Sequence, residues 1–443
     1  MNRPPSRRVA ISCAALVLLS LGASLVFLAA YPLPEVKNDA VEYLALARNV
    51  AAGAGFSYDG ASPAVYRPPL FSLLLGGWFA ATGTSSVLSA AVFQTLVHAL
   101  GVLAAFLLFL EVAPRRAWAF GGALFLAVNP LLVTRVVFVL QEPTLLLFTT
   151  LGALLSVRLV KEPSAARAGL AGAAWGLATL AKVVAWFAPF LLLAMRFFPG
   201  RLGWSLRGKE VAALLVCFAA AVAPWTLRNQ LHFGRFIPVN DQGYGLLEWN
   251  VKHADPPGAV PGNRFVGELR ERGLDPEARR AALWGYVLEH PRYFLVDGVV
   301  RKAFHFTGPA RDWWWERGRY GPGEKRPWYW TVHDYLYRGL FLLIPIGLGM
   351  WSRKGPGAHT GFLAAFGLLY WAEHALTWGT PRYGLAMLPV ALAVLLALGM
   401  DRLRGNEAPH FAEDGISRTT PLAEDGGRPE GGVSGCPPGP GRR

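Results

Sequence analysis

Two stretches without a single charged residue, Val9 to Pro34 and Pro68 to Leu110, constrain this chain more than any other feature. Crossing the hydrocarbon core of a bilayer takes about 20 mostly apolar residues in helical form, because backbone polar groups there can pair only within the segment. Several runs here reach or approach that length. Of the 443 residues 53% are hydrophobic and only 16% are charged, whereas about a quarter of an average soluble domain is charged. A water-soluble enzyme is excluded, and an all-α polytopic membrane protein is expected.

The net charge of +14 does not point to nucleic acid. Lys and Arg fall between the apolar runs rather than in one aromatic-interleaved patch. They read as topology signals, since basic loops stay on the cytoplasmic side. Arg3, Arg7 and Arg8 precede the first apolar run as in a signal peptide, but the run is long and Tyr31-Pro32-Leu33-Pro34 offers no small-residue cleavage site. A retained first helix is expected. From there the sequence predicts further spans at Val87–Glu111, Ala117–Val133, Pro143–Val157, Ala168–Ala181, Val183–Met195, Val211–Leu227, Gly339–Trp351, Thr360–Leu376 and Tyr383–Met400. The total is about ten, with both termini inside and every basic loop on one side. A turn-type cluster, Gly83-Thr84-Ser85-Ser86, breaks the second charge-free stretch, so that Pro68–Thr82 lies along the outer interface.

Residues 1–400 form the expected transmembrane domain, with two outer segments, 31–67 and 228–337, and 401–443 read as a disordered cytoplasmic tail rich in Gly, Pro and charge. The longer outer segment exceeds a plain loop and must carry its own structure. Asp275-Pro276-Glu277 opens a helix with an N-cap, a first-position proline and an acid in the first turn. Tyr293, Val296, Val300 and Phe304 trace an amphipathic helix for the membrane surface, and Trp313, Trp314, Trp315, Trp328 and Trp330 fit an interfacial belt. The three cysteines, Cys13, Cys217 and Cys436, form neither a disulfide framework nor a zinc motif.

Several motifs carry a resemblance. The first outer segment reads KNDAVEYLALARNVAAGAGFSYDG followed by YRPPLFSLLLGGWFAATG; then come NPLLVTRVVFVLQEPTLLL, GLATLAK, PWTLRNQLHFGRFIPV, EHPRYFL and HALTWGTPRYGLAMLPV. From about Tyr31 to Val390 this order resembles the GT-C glycosyltransferases related to protein O-mannosyltransferases, lipid A aminoarabinose transferases and galacturonosyltransferases. The resemblance implies a GT-C fold with periplasmic interfacial helices. It also implies an undecaprenyl(polyprenyl)-phosphate sugar donor, a lipid, glycan or protein acceptor, and inverting transfer at the periplasmic face of a bacterial inner membrane.

Such transfer needs a carboxylate to take the acceptor's proton and cations at the leaving phosphate. Asp39, four residues before Tyr43, matches the family's catalytic base; where the family often has Asp-Glu, this chain has Asp39-Ala40. Asp39 and Glu42 equally fit a capping box. Tyr43 and Glu142 are candidates to position acceptor or sugar, although Glu142 beside Pro143 also suits a helix dipole. Cations at the outer membrane edge run against the positive-inside pattern. Arg67, Arg135, Lys182, Arg228 and Arg382 are therefore candidates for the donor phosphate, arginine because its planar fork donates two bonds at once. Arg67 can also be a snorkelling anchor and Lys182 a simple break between two apolar runs. His98 reads as an interior residue, and His253, His290 and His305 are too scattered for a metal site. With no Asp-x-Asp motif, no cofactor or required metal is expected, a divalent ion being left open. The rival readings are a lipid or sugar transporter, which typically shows internal repeats not seen here, and a non-catalytic polyprenyl-lipid-binding protein.

Overall fold

The computed structural model describes residues 7–30, 33–197, 206–242, 245–307, 357–377 and 381–407, with short pieces between 338 and 346. Everything below concerns these residues. The expected tryptophan belt, most of the span Gly339–Trp351 and the tail beyond Glu407 lie outside them. The chain divides into two units, Met1–Leu403 and Arg404–Arg443, and the site belongs to the first.

The described residues are helical, with one isolated β-bridge between Ser57 and Pro63. In chain order, α1 is Arg7–Ala30, α2 Asp39–Ala51, α3 Leu70–Thr82, α4 Val87–Val112, α5 Arg116–Ala127, α6 Pro130–Val133, α7 Glu142–Lys161, α8 Ala165–Ala181, α9 Ala188–Ala194 and α10 Gly208–Phe233. Four small helices follow: α11 Gly245–Lys252, α12 Gly262–Glu271, α13 Pro276–Glu289 and α14 Gly298–Phe306. Ala358–Leu376, the short turn Pro381–Gly384 and Leu388–Glu407 complete the described chain.

Of these, α1, α4, α7 and α10 are long and apolar enough to cross a membrane, and Arg116–Ala127 with Pro130–Val137 makes a fifth candidate bent by 46°. The bend sits at Asn129-Pro130, where the Asn129 side chain accepts from the Leu131 N–H at 2.9 Å and the proline cannot continue the preceding helix. The predicted break between α3 and α4 is built by Gly83 in the left-handed region (φ 68°) and by Ser86, whose hydroxyl caps the Ser89 N–H at 3.1 Å. At 13 residues α3 is too short to span. It packs on α2 so closely that a Cβ on Gly76 would stand 2.6 Å from Val50 and 2.9 Å from the Ala47 carbonyl oxygen.

The main core lies among α4, α5, α7, α8, Ala358–Leu376 and Leu388–Leu398. At its centre the buried Trp175 donates to Ser156 Oγ at 2.9 Å and packs against Phe366. Helices α8 and α10 cross on glycine: a Cβ on Gly172 would lie 2.1 Å from the Leu214 carbonyl oxygen, and one on Gly176 2.6 Å from Ala221 Cβ. Small residues let helix backbones approach where lipid supplies no hydrophobic drive.

The segment after α10 does carry its own structure, a small core of Val251, Ala254, Val266, Leu269, Leu283, Tyr286 and Tyr293. Asp275 caps α13 as expected, accepting from the Glu277 and Ala278 N–H groups at 2.9 and 3.0 Å. The expected apolar stripe is revised. Val296, Val300 and Phe304 are exposed at 51%, 48% and 66%, but Tyr293 is buried in the core, because a π-helical turn at Tyr293–Asp297 shifts the register by one residue ahead of α14.

Candidate active site

The loop between α2 and α3 is stitched to the end of α10 before it reaches the site. Asn229 Nδ2 donates to the Ile237 and Val239 carbonyls at 3.0 and 3.1 Å, and Trp225 Nε1 to Val239 at 2.6 Å. Asn240 Nδ2 and the Asp241 N–H then donate to the Tyr66 and Val65 carbonyls at 3.0 and 2.9 Å. Arg228 completes the seam by donating to the carbonyls of Ala64 at 2.7 Å and Phe56 at 3.1 Å, while it stacks on Trp225. Its guanidinium is thus engaged with the loop backbone and with the neighbouring Asn229. In this arrangement Arg228, expected at the donor phosphate, holds the loop that ends at Arg67.

Asn38, with φ 52°, turns the chain into α2. A non-glycine residue there is strained, and such residues concentrate at functional sites. The turn makes Asp39 the first residue of α2 rather than its cap, and no side chain caps this helix. The capping-box reading of Asp39 and Glu42 therefore fails. Their carboxylates accept from side chains: Asp39 Oδ1 from Arg67 Nη2 at 2.7 Å, Asp39 Oδ2 from Arg382 Nη2 at 2.5 Å, and Glu42 Oε2 from Arg67 Nε at 2.6 Å. Glu142, the first residue of α7 and 3% exposed, lies 3.5 Å from Arg382 Nε through its Oε1. Its other oxygen has no hydrogen-bond partner.

Around this charged centre, Tyr43 donates to Gln141 Oε1 at 2.7 Å, and the Arg67 guanidinium lies over the rings of Tyr43 and Tyr66 at 5.4 and 5.0 Å. Arg382 donates to the Tyr383 hydroxyl at 3.0 Å. The Lys182 ammonium sits on the Tyr383 ring, 3.2 Å from His374 Nε2, while His374 Nδ1 is 2.9 Å from the Tyr370 carbonyl. A carbonyl only accepts, so Nδ1 carries the proton and the Nε2 lone pair faces Lys182. Burial alone would push the Asp39 carboxyl up, but Arg382 and Arg67 together hold it below the ordinary carboxylate range.

Asp39, Arg67, Arg382 and Glu142 thus form one network, with Tyr43 and Lys182 at its edge. Arg135 is buried in the 3-10 turn Thr134–Val137, its guanidinium 5.7 Å from the Phe138 ring centre. Sequence reasoning passed over Gln141, His374 and Tyr383. Two of them abut predicted residues, Gln141 before Glu142 and Tyr383 after Arg382. His98 is interior in α4, His253 packs tilted against Trp249, and His290 meets Tyr286 edge-on. Among the described residues no three His, Cys, Asp or Glu side chains converge as metal ligands do.

Residues 60–230 match the model of the dolichyl-phosphate-mannose-protein mannosyltransferase family. That match takes in Arg67, Arg135, Glu142, Lys182 and Arg228, and lies between Asp39 and Arg382. No curated protein matched the sequence. Among solved structures, the oligosaccharyltransferase AglB of Archaeoglobus fulgidus, in complex with an inhibitory peptide and a dolichol-phosphate, is 16% identical with a TM-score of 0.51, covering 93% of this chain and 52% of its own. The same organism's oligosaccharyltransferase in complex with Zn and sulfate gives 15% identity, a TM-score of 0.51 and coverage of 89% and 50%. The chain spans about half the length of these structures. ArnT of Cupriavidus metallidurans, bound to undecaprenyl phosphate, is 15% identical with a TM-score of 0.38, over 91% of this chain and 80% of ArnT. The chain therefore shares the helical fold of these oligosaccharyltransferases, with several helices apolar enough to cross a membrane, and its residues 60–230 resemble the mannosyltransferase family.

Proposed function

We propose that this protein transfers a sugar from a polyprenyl-phosphate donor to an acceptor hydroxyl at the periplasmic face of a bacterial inner membrane, with Asp39 as general base. One observation carries the reading: a single carboxylate, on the strained start of α2, is held by two guanidiniums from opposite ends of the chain. The family matched at residues 60–230 is described by a lipid-phosphate sugar, which supports the donor class.

Arg67 and Arg382 are neutralised by Asp39, Glu42 and Glu142 in this state. An arriving phosphate competes for both forks, since guanidinium binds phosphate and carboxylate in the same geometry. Donor binding then loosens the clamp on Asp39 and raises its basicity. The acceptor oxygen attacks the anomeric carbon as its proton passes to Asp39. The bond from that carbon to the phosphate oxygen breaks, and the polyprenyl phosphate leaves with the electron pair, stabilised by Arg67, Arg382 and Lys182. One displacement inverts the anomeric centre. Glu142 orients Arg382, and Gln141 orients Tyr43 toward the sugar.

Asp39→Asn preserves shape and removes proton acceptance. Transfer should fall by about a hundredfold or more, the usual scale of general-base catalysis, with protein level unchanged. Transfer close to that of the parent in a well-folded Asp39→Asn protein would end this mechanism.

A further inference from the structure

On the side of Arg67 reached through Glu42, a cavity of about 530 Å³ is lined by Val41, Glu42 and Ala45 of α2 and by Tyr58 and Tyr66 of the following loop. Its size falls within the range of small-molecule sites. It is separate from the Asp39–Arg382 contact but shares a wall with it: Glu42, which lines the cavity, and Asp39 grip the same guanidinium. Tyr66 belongs to both as well, lining the cavity and lying 5.0 Å beneath Arg67. Tyr58 lines the cavity beside Glu42 and is 37% exposed.

We infer that this cavity is the acceptor subsite and that its occupant is a carbohydrate, an inference that rests on the transfer reading above. A pyranose presents an apolar C–H face and a rim of hydroxyls. Two tyrosines offer flat apolar faces with polar tips, and an ionised carboxylate has about four lone-pair positions. Glu42 therefore has acceptor capacity left after Arg67. Val41 and Ala45, one turn apart on α2, complete an apolar wall. An extended peptide would instead need an unpaired backbone edge. The walls here are side chains of a helix and of a loop, and the loop's one β-bridge, Ser57 with Pro63, is already paired. Arg67, gripped by both Glu42 and Asp39, links the cavity to the proposed base.

The test uses the full chain in nanodiscs and saturation-transfer NMR with two probes, methyl glycosides of mannose, glucose and galactose, and a blocked Ala-Thr-Ala tripeptide. At least one glycoside should bind, and Tyr58→Ala and the cavity-filling Val41→Trp should each weaken it at least tenfold. Tyr58→Phe, which keeps the ring face, should remain within about threefold of the parent. Undecaprenyl phosphate affinity, measured on the same samples, should not change in either variant, which separates a lost subsite from a lost fold. Tripeptide binding without glycoside binding, no binding of either probe, or glycoside binding indifferent to both substitutions would each overturn the proposal. Transfer that survives Asp39→Asn would sink the catalytic reading but leave these binding results to be judged on their own.

Discussion

Asp39 and Asp275 open helices α2 and α13, and each is followed by a second acid within the first turn. On paper the two starts are equivalent. In the fold, Asp275 has backbone φ −61°, ψ 160° and closes on its own helix, accepting from the next two free N–H groups. Asp39 follows a residue at φ 52° and turns away from its helix toward Arg67 and Arg382, the latter 343 positions distant. A cap is a local bargain between neighbours in sequence. A carboxylate at a helix start that leaves its backbone N–H groups to others has been placed for something else, and here that is the guanidiniums of Arg67 and Arg382.

The sharpest way to break the comparison is to remove the distant partner. Arg382→Ala leaves Glu142, 3% exposed, without the cation beside it, and Asp39 with one guanidinium instead of two. Breaking a buried ion pair from one side costs about 3–5 kcal/mol, because the other charge is stranded. The melting temperature of the purified protein should fall substantially. Adding Glu142→Gln to Arg382→Ala should recover part of the loss, since the stranded charge is then gone. A melting temperature unmoved by Arg382→Ala would mean that the network is not formed in the protein.

A pH titration separates the same two aspartates by a smaller effect. The Asp39 carboxyl is held low in the folded state, so its contribution is present above its unfolded value of about 4 and is lost as pH falls through the carboxylate range. The parent should therefore lose melting temperature between about pH 5 and pH 3 more steeply than Asp39→Asn, which has no proton to take up at that position. Identical acid profiles for the two proteins would remove the clamp on Asp39.

Much of the charged network was legible because membrane sequences make charge conspicuous. Arg67, Lys182 and Arg382 stood out against apolar neighbours, and Glu142 was marked by its place before Pro143. What no spacing rule contains is which charges meet: the pairing of Asp39 with Arg382 depends on how the turn at Pro381 folds back onto α2. The partners of Arg228 were hidden for a related reason. A cation beside a long loop can hold a ligand or hold the loop, and its bonds to the carbonyls of Ala64 and Phe56 appear only in the fold. The break at Gly83 and the start at Asp275 were readable since caps act within a few residues. The π-turn at Tyr293 was not, because one extra residue in a helical turn leaves no mark in composition.

The smallest effect belongs to the ordinary member of the pair. Asp275→Ala removes a carboxylate that accepts two bonds, at 2.9 and 3.0 Å, on an exposed helix start, and losing such a cap costs about 1 kcal/mol. The loss should stay local. Helix α13 supplies Leu283 and Tyr286 to the small core shared with Val251 and Val266, so amide exchange should quicken in α11 to α13 while α2 and α7 keep their protection. Asp275→Asn should be nearly silent, since asparagine caps as well as aspartate. The same exchange at Asp39 should not be silent, because an amide cannot take the acceptor's proton. If Asp275→Asn proved as costly as Asp275→Ala, the charge at α13 would matter beyond capping, and the contrast between the two helix starts would narrow.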